Sequence, residues 1–270
     1  MTSDHTSLHA RYGPWALVAG ASDGIGEAFA RQLAASGLGV VLLARRHEPL
    51  QALVQELQAQ GAAVRAAAVD LTNSDVVERV QQVTDGLDIG LLVYNAGADQ
   101  GSGTFTERSV EQALGLVYLN CRGPILLAHH FARHMTERGS GGIVIVTAMG
   151  AVAGAAGMAV YSGTKAFELN FAEGLWAELQ PRGVDVLACV VGATRTPSLL
   201  KTGAQLEGFF VMEPHEVAAE ALAHITDGPM WVVGQGNRDI AARFWPVPRV
   251  EFVRGLSARK AQMMRGRVNG

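Results

Sequence analysis

Short apolar runs alternate along this chain with longer segments in which apolar residues recur every three or four positions. The runs predict buried strands at 15–19, 40–44, 64–69, 91–94, 143–146, 185–191 and 230–233. The longer segments predict helices after Gly24 and at 49–60, 74–84, 106–138, 158–179 and 213–226, with a break near Gly123 and Pro124. This alternation predicts one α/β domain over residues 14–239, a doubly wound parallel sheet of about seven strands flanked by helices.

The two ends of the chain depart from this pattern. Residues 1–13 are polar, and we expect them to be frayed and flexible. Residues 240–270 carry seven Lys or Arg and one acidic residue, with apolar side chains between them. Such a basic arm can lie on an anionic membrane surface. The interpretation that we prefer is an arm that packs on a neighbouring subunit or is partly disordered.

Composition narrows the class of protein. Hydrophobic residues make up 49% of the chain and charged residues 17%, which favours a sizeable core over disorder, and the net charge of −3 gives no general attraction to nucleic acid. No apolar run reaches the roughly 18 residues of a membrane span, and the N-terminus lacks the pattern of a signal peptide. The two cysteines, Cys121 and Cys189, lie in apolar runs. We therefore expect a cytoplasmic protein with reduced thiols.

Three histidines, His129, His130 and His134, fall close together in the segment 106–138. No cysteine or acidic side chain stands at a spacing that would complete a metal site with them. We expect them to serve packing or a subunit contact, and we predict no metal site.

A glycine-rich turn joins the first predicted strand to the first long helix. A strand, a glycine turn and a helix are the context that binds a dinucleotide phosphate, because glycines let the backbone approach the pyrophosphate and the helix N-terminus supplies N–H groups. A tight turn without a ligand is the alternative. The predicted cofactor-binding residues here are Gly20, Ser22, Asp23, Gly24, Ile25 and Gly26.

Arg45 and Arg46 follow the second predicted strand, where a nicotinamide enzyme reads the adenosine ribose. An acidic residue there binds a 2′-hydroxyl, whereas arginine accommodates a 2′-phosphate. The pair therefore favours NADP over NAD. A solvated basic pair is the alternative, and Asp23 counts against NADP because it brings negative charge near the same phosphate.

Polar or small residues also end the later strands, as expected where a ligand lies across the edge of a parallel sheet. The positions that we assign to cofactor binding on this ground are Asp70, Leu71, Asn95, Ala96 and Gly97.

Tyr161 and Lys165 are four residues apart in the predicted helix 158–179, so their side chains are neighbours on one face. An ammonium next to a phenol favours the phenolate and lowers the pKa of the tyrosine from its reference of roughly 10. Such a phenol can give or take a proton at a carbonyl or alcohol oxygen. A surface Tyr and Lys on an ordinary helix would show the same spacing.

Taken in order, these motifs resemble those of the classical short-chain dehydrogenases and reductases, from Trp15 to Asn237. The resemblance implies a Rossmann-type fold, a homodimer or homotetramer, and hydride transfer between NAD(P) and a carbonyl or alcohol. It implies that Tyr161 is the proton donor or acceptor and that Lys165 binds the nicotinamide ribose. The remaining implied roles are the adenine contact for Asp70, support of the cleft for Asn95 and a relay water for Asn120. The resemblance also implies cofactor binding at Gly192, Thr194 and Thr196, where Thr196 and the backbone near Thr194 hold the nicotinamide carboxamide.

One position departs from the family where the chemistry occurs. The family carries a serine thirteen residues before the tyrosine, and Ala148 stands there in this chain. Loss of such a hydrogen-bond donor costs ~3 kcal/mol in the transition state. Thr147 precedes it and is a candidate replacement, although successive side chains of a strand point to opposite faces. Val191 is a second departure, since proline is common there.

The favoured function is NADP(H)-dependent interconversion of a hydrophobic carbonyl compound and its alcohol, with Tyr161 as general acid and base. The apolar loop at 197–211 is a candidate lid, and the predicted substrate contacts are Ala148, Met149, Leu199 and Phe209. Two alternatives stay open. One is a cofactor-binding or scaffolding protein that lost its chemistry with the serine, and the other is a lyase or isomerase on the same fold.

Overall fold

The computed structural model describes residues 5–97, 104–204, 206–245, 248–251 and 253–255. Most of the basic arm, from residue 256 to 270, lies outside the described residues, and so do the predictions made for it. Within the described part of the chain, no helix is both long and apolar enough to cross a membrane.

Seven parallel strands form one sheet in the order β3-β2-β1-β4-β5-β6-β7. This confirms the predicted doubly wound architecture. The chain order reverses between β1 and β4, and ligands bind beyond the carboxyl ends of the strands at such a point. The strands are β1 Trp15–Ala19, β2 Gly39–Ala44, β3 Val64–Ala68, β4 Ile89–Tyr94, β5 Gly141–Ala148, β6 Val184–Val191 and β7 Met230–Val232.

Helices cover both faces of the sheet, which explains why the strands read as continuous apolar runs. Alternate residues of β1 and β2 enter two separate cores: Val18 and Leu42 pack on one side, and Leu17 and Val41 on the other. The helices are α1 His5–Tyr12, α2 Gly24–Ala35, α3 His47–Ala59, α4 Val76–Thr84, α5 Val110–Val117, α6 Gly123–Arg138, α7 Ala159–Leu179, α8 Pro197–Lys201, α9 Pro214–Ala223 and α10 Gln235–Phe244.

The prediction of a break in the helix near Gly123 and Pro124 is wrong, because the chain stays helical there. A π-helical turn, Tyr118–Arg122, joins α5 to α6, and Gly123 N–H bonds to the carbonyl five residues back. The hydroxyl of Tyr94 donates to the carbonyl of Leu119 at 2.6 Å, which satisfies an acceptor inside the turn. Gly123 is required at the junction, since a Cβ there would lie 2.1 Å from that hydroxyl oxygen.

The described residues near both ends of the chain pack on the domain. Instead of a frayed stretch, residues 5–12 form α1, where Tyr12 is buried and donates through its hydroxyl to Asp185 at 2.7 Å. At the other end, Arg249 makes two 2.6 Å bonds to the carboxylate of Glu173 on α7. The described start of the basic arm therefore packs on α7 of the same chain.

Candidate active site

The glycine turn between β1 and α2 has the backbone geometry of a phosphate-binding loop. Gly20 and Gly24 adopt φ values of 87° and 58°, which side chains rarely tolerate. Asn95 at the end of β4 donates to the carbonyl of Gly20 at 3.0 Å and braces the turn. Gly26 packs beneath the turn, because a Cβ there would lie 2.0 Å from the Gly20 carbonyl oxygen. The turn therefore leaves the N–H groups at the start of α2 open to an anion.

Two adjoining cavities extend along the carboxyl edge of the sheet. One of about 580 Å³ lies over β1, β2 and β3, and one of about 560 Å³ lies over β5, β6 and α7. They form one groove, since Asp23, Asn95, Gly97 and Ser198 line both. Most of the predicted cofactor positions line this groove, namely Gly20, Ser22, Asp23, Gly24, Ile25, Arg45, Arg46, Asp70, Leu71, Asn95, Ala96, Gly97, Tyr161, Lys165, Gly192, Thr194 and Thr196.

Charges at the β2 end of the groove are compensated within the protein. Arg46 forms an ion pair with Asp23 and donates to the hydroxyl of Ser22 at 3.1 Å. Burial alone would raise the pKa of Asp70, but hydrogen bonds from Thr72 and the positive charge of Arg45 hold it below its usual value. The negative charge of Asp23, which counted against a phosphate in the sequence, is thus offset by Arg46.

Lys165 lies beneath the Tyr161 ring, with its Nζ atom 5.7 Å from the ring centre. The lysine side chain is almost fully buried, and Nζ donates to the Val146 carbonyl at 3.1 Å and to Glu168 Oε2 at 2.8 Å. Burial acts to lower the pKa of Lys165, yet the charges of Glu168 and Tyr161 hold it above the usual value. The lysine therefore stays protonated, as its predicted effect on Tyr161 requires.

Asn120 lies in the π-helical turn and is fully buried behind the groove. Its Nδ2 donates to Thr164 Oγ1 at 2.8 Å and, more weakly, to the Gly97 carbonyl at 3.4 Å. A Cβ at Gly97 would lie 2.8 Å from Asn120 Oδ1 and 2.9 Å from Lys165 Nζ. Gly97 is therefore the point at which the asparagine and the lysine come together under the groove.

Thr147 and Ala148 at the end of β5 both line the cavity that contains Tyr161, but their side chains differ in burial and bonding. The Thr147 side chain is fully buried, and its hydroxyl donates to the Lys165 carbonyl at 2.8 Å. Ala148 is partly exposed and lines the same cavity as Tyr161, with Met149, Met158 and Leu199. The Thr147 hydroxyl therefore donates its hydrogen bond from β5 to the backbone of α7. The cavity wall that Ala148 forms near Tyr161 is apolar.

A family model described as short chain dehydrogenase matches residues 14–207. The chain belongs to the short-chain dehydrogenase family. It is thus an oxidoreductase of the type that interconverts carbonyls and alcohols with a nicotinamide cofactor.

Named relatives support this assignment. This short-chain dehydrogenase is 30% identical to a 7beta-hydroxysteroid dehydrogenase of Collinsella aerofaciens, over 86% of this chain and 90% of the relative. It is 34% identical to a very-long-chain 3-oxoacyl-CoA reductase of Pyricularia oryzae, over 67% of this chain and 56% of that protein. It superposes with a TM-score of 0.77 on a Sphingobium yanoikuyae short-chain dehydrogenase in complex with NADPH, at 32% identity, covering 94% of this chain and 96% of the other.

Three predicted site residues of this short-chain dehydrogenase do not line the groove. Gly26 and Asn120 lie behind it, and Phe209 is 71% exposed outside both cavities. The structure adds lining residues from segments that carry no motif, namely Arg108, Gln112, Ser198, Gly150 and Met158. It also adds Glu168 beside Lys165, which its place three residues further along the helix could have indicated.

The histidine segment holds no cluster of metal-ligating side chains. His130 packs edge-on against Phe131 and His134, with ring centres 4.7 and 5.9 Å away. Among the described residues, no three His, Cys, Asp or Glu side chains are grouped as they would be around a metal ion.

Proposed function

We infer that this short-chain dehydrogenase reduces a bulky hydrophobic carbonyl compound, or oxidises the corresponding alcohol, with NADP(H) and with Tyr161 as general acid and base. One observation carries the proposal. The cavity that contains Tyr161 and Lys165 continues into the groove of the glycine turn, and its other walls include Ala148, Met149, Met158, Val191 and Leu199. A phenol at the meeting point of a cofactor groove and an apolar cavity suits a hydrophobic carbonyl.

The groove fits a dinucleotide. The open N–H groups at the start of α2 suit a pyrophosphate, and Asp70 at the far end suits the adenosine. When bound, the nicotinamide supplies or accepts a hydride. Arg45 lines that end, exposed and without an ion pair to any described residue, and would pair with a 2′-phosphate. The bound NADPH of the Sphingobium yanoikuyae neighbour supports the choice of NADP.

The chain's own residues account for the proton. In reduction, the Tyr161 hydroxyl donates to the substrate oxygen as negative charge develops there, and in oxidation the phenolate accepts the proton back. Lys165 makes the phenolate accessible near neutral pH, because its ammonium lies 5.7 Å from the ring in a water-poor site. Asn120 bonds to Thr164, the residue before Lys165 in α7, and the Thr147 hydroxyl fixes the helix backbone that carries the lysine.

We further propose that Ala148 occupies the position of the family serine. A site built this way has one hydrogen-bond donor fewer for the developing alkoxide, which costs about 3 kcal/mol if nothing replaces it. Thr147 is a positioning residue in this proposal, since its hydroxyl is committed to the Lys165 carbonyl. A water held near Ala148 or a donor on the substrate would make up the deficit.

The same alanine favours a second candidate function, in which the protein binds the cofactor but its chemistry is impaired or altered. Absorbance of NADPH during incubation with a panel of bulky hydrophobic ketones separates the two. Consumption that disappears in Tyr161→Phe supports the oxidoreductase. Tight NADPH binding without consumption by any ketone, or by any alcohol in the reverse assay, supports the second candidate.

We also propose that the protein forms a dimer or tetramer through α5 and α7. These helices contact each other, and α5 carries exposed apolar side chains. Phe167 and Phe171 on α7 stack at 5.5 Å. Contiguous exposed apolar patches often mark an interface. Exposed large apolar side chains on α5, the π-helical turn and α6 are Val110, Leu114, Val117, Tyr118 and Ile125.

A further inference from the structure

Glu168 is a buried carboxylate beside the reactive lysine. It lies one helical turn after Lys165, its side chain has 0% exposure, and Oε2 accepts from Lys165 Nζ at 2.8 Å. The second oxygen, Oε1, has no hydrogen-bond partner among the described residues. A buried carboxylate is costly to a fold unless its bonds are complete, and an apolar residue would pack here at lower cost. Glu168 is therefore poorly explained by stability alone.

The charge state of Glu168 is poised near neutral pH. Burial raises the pKa of Glu168 to about 7, although the ammonium of Lys165 acts to lower it. A group with such a pKa changes its charge in the range in which a dehydrogenase works. It is also the nearest acidic partner of the ammonium on which Tyr161 depends.

The groups around Glu168 do not ionise in that range. Burial raises the pKa of Tyr94, on β4, well above its ordinary value, and the pKa of Cys121, in the π-helical turn, to about 11. Lys165 stays protonated, as argued above, and Thr147 on β5 carries no charge. The variable charges in this pocket are therefore those of Glu168 and Tyr161.

We propose that Glu168 is a positioning residue which holds the Lys165 ammonium and, by partly neutralising it, sets how strongly that ammonium draws the proton from Tyr161. This inference rests on the proposed function of the same site. When Glu168 is ionised, the pull of Lys165 on Tyr161 is offset and the phenol keeps its proton. When Glu168 is neutral, the full positive charge favours the phenolate.

The sign of the effect follows directly. Glu168→Gln removes the negative charge but keeps the size of the side chain and an acceptor oxygen for Lys165. The pKa of Tyr161 should fall by about one unit, the scale of a charge interaction across several ångströms at an effective dielectric constant near 20. As the pH is raised, the variant should then lose carbonyl reduction, which needs the phenol, at a pH about one unit lower than the wild type does. Alcohol oxidation, which needs the phenolate, should likewise begin at a pH about one unit lower.

Glu173→Gln is the matched control. Glu173 is a second buried glutamate on α7, paired with Arg249, and it lies two helical turns beyond Lys165. Its substitution should weaken the docking of Arg249 on α7 and lower the melting temperature without moving any pH profile. Tyrosinate absorbance is titrated in the wild type and both variants, each corrected with the same protein carrying Tyr161→Phe. The pH profiles of kcat and the KM for NADPH are measured beside it.

An acid shift of the Tyr161 titration in Glu168→Gln, absent in Glu173→Gln, supports the inference. Coincident titrations for all three proteins, or equal shifts in both variants, overturn it. If Glu168→Gln does not fold, Glu168→Asp is used. Its shorter side chain places the carboxylate further from Lys165, so the Tyr161 titration should shift in the same direction by a smaller amount. An unchanged Tyr161 titration overturns the inference. The spectroscopic titration needs no turnover, so a wild type that consumes no NADPH defeats the proposed function alone.

Discussion

Ala148 at the end of β5 and Val191 at the end of β6 are register partners, and both line the cavity in front of Tyr161. In the proposed assignment, these are the two positions at which the chain departs from its family's motif. The departures therefore form one adjoining apolar patch. In the proposed reaction, the substrate oxygen would meet the Tyr161 hydroxyl on one side and methyl groups on the other.

Ala148→Ser should raise turnover by up to about a hundredfold in carbonyl reduction, because it returns a donor to the developing alkoxide. Single-turnover NADPH oxidation with the best ketone of the panel measures this directly. An unchanged or lower rate would mean that the wall at Ala148 is matched to a substrate for which no such donor is needed.

Thr147→Val should lower the stability of the fold, since the Thr147 hydroxyl is bonded to the Lys165 carbonyl. It should not remove a hydrogen bond to the substrate. We expect a loss of about 1 kcal/mol in the free energy of unfolding, the usual contribution of one hydrogen bond. Thermal or urea unfolding gives this value. If stability is unchanged while kcat falls a hundredfold, Thr147 acts as the substrate donor after all.

Arg45→Asp should weaken NADPH binding by at least about tenfold and bring NADH to equal or better affinity, because a carboxylate repels a 2′-phosphate and binds a 2′-hydroxyl. Titration of nucleotide fluorescence measures both affinities. Arg182→Asp makes the same change of charge at an exposed site beyond α7 and should leave both affinities in place. Tighter binding of NADH than NADPH by the wild type would contradict the assignment.

Gly97→Ala should disrupt the site without a change of charge, since the added Cβ would press on Asn120 Oδ1 and Lys165 Nζ. Displacement of catalytic groups by about 1 Å can cost about a hundredfold in rate, so we expect kcat to fall by at least tenfold. Gly154→Ala is the control, because nothing lies within 4 Å of a Cβ there. Equal activities of the two variants would show that Lys165 and Asn120 adjust freely.

Leu114→Lys should dissociate the protein if α5 forms a subunit interface, since it places a charge on the exposed apolar surface. Light scattering at micromolar concentration should give a multiple of 28.5 kDa for the wild type and a smaller particle for the variant. Ile240→Lys, on the exposed face of α10, is the control. A wild-type particle of 28.5 kDa would contradict the proposed assembly.

The order of strands and helices follows from the sequence because each strand is covered on both sides. All six residues of β2 are buried, and a segment that must be apolar throughout is easy to recognise. The glycine turn and the pair Tyr161 and Lys165 were equally visible, since the spacing along one element fixes their neighbours. Family membership was accessible from these local patterns alone.

Only the tertiary structure decided which partners the side chains at the ends of these elements bond to and how deeply they are buried. Thr147 is bonded to the backbone of α7, and Asn120 reaches Gly97 because a π-helical turn replaces the expected break. Glu168 looks in the sequence like half of an ordinary surface pair with Lys165. The packing of α7 against β5 and the π-helical turn removes it from water, and desolvation changes such a pair from a solvated charge contact into a titrating group. Spacing in the sequence determines which residues are neighbours along an element, whereas burial, which sets their protonation, depends on elements far apart in the chain.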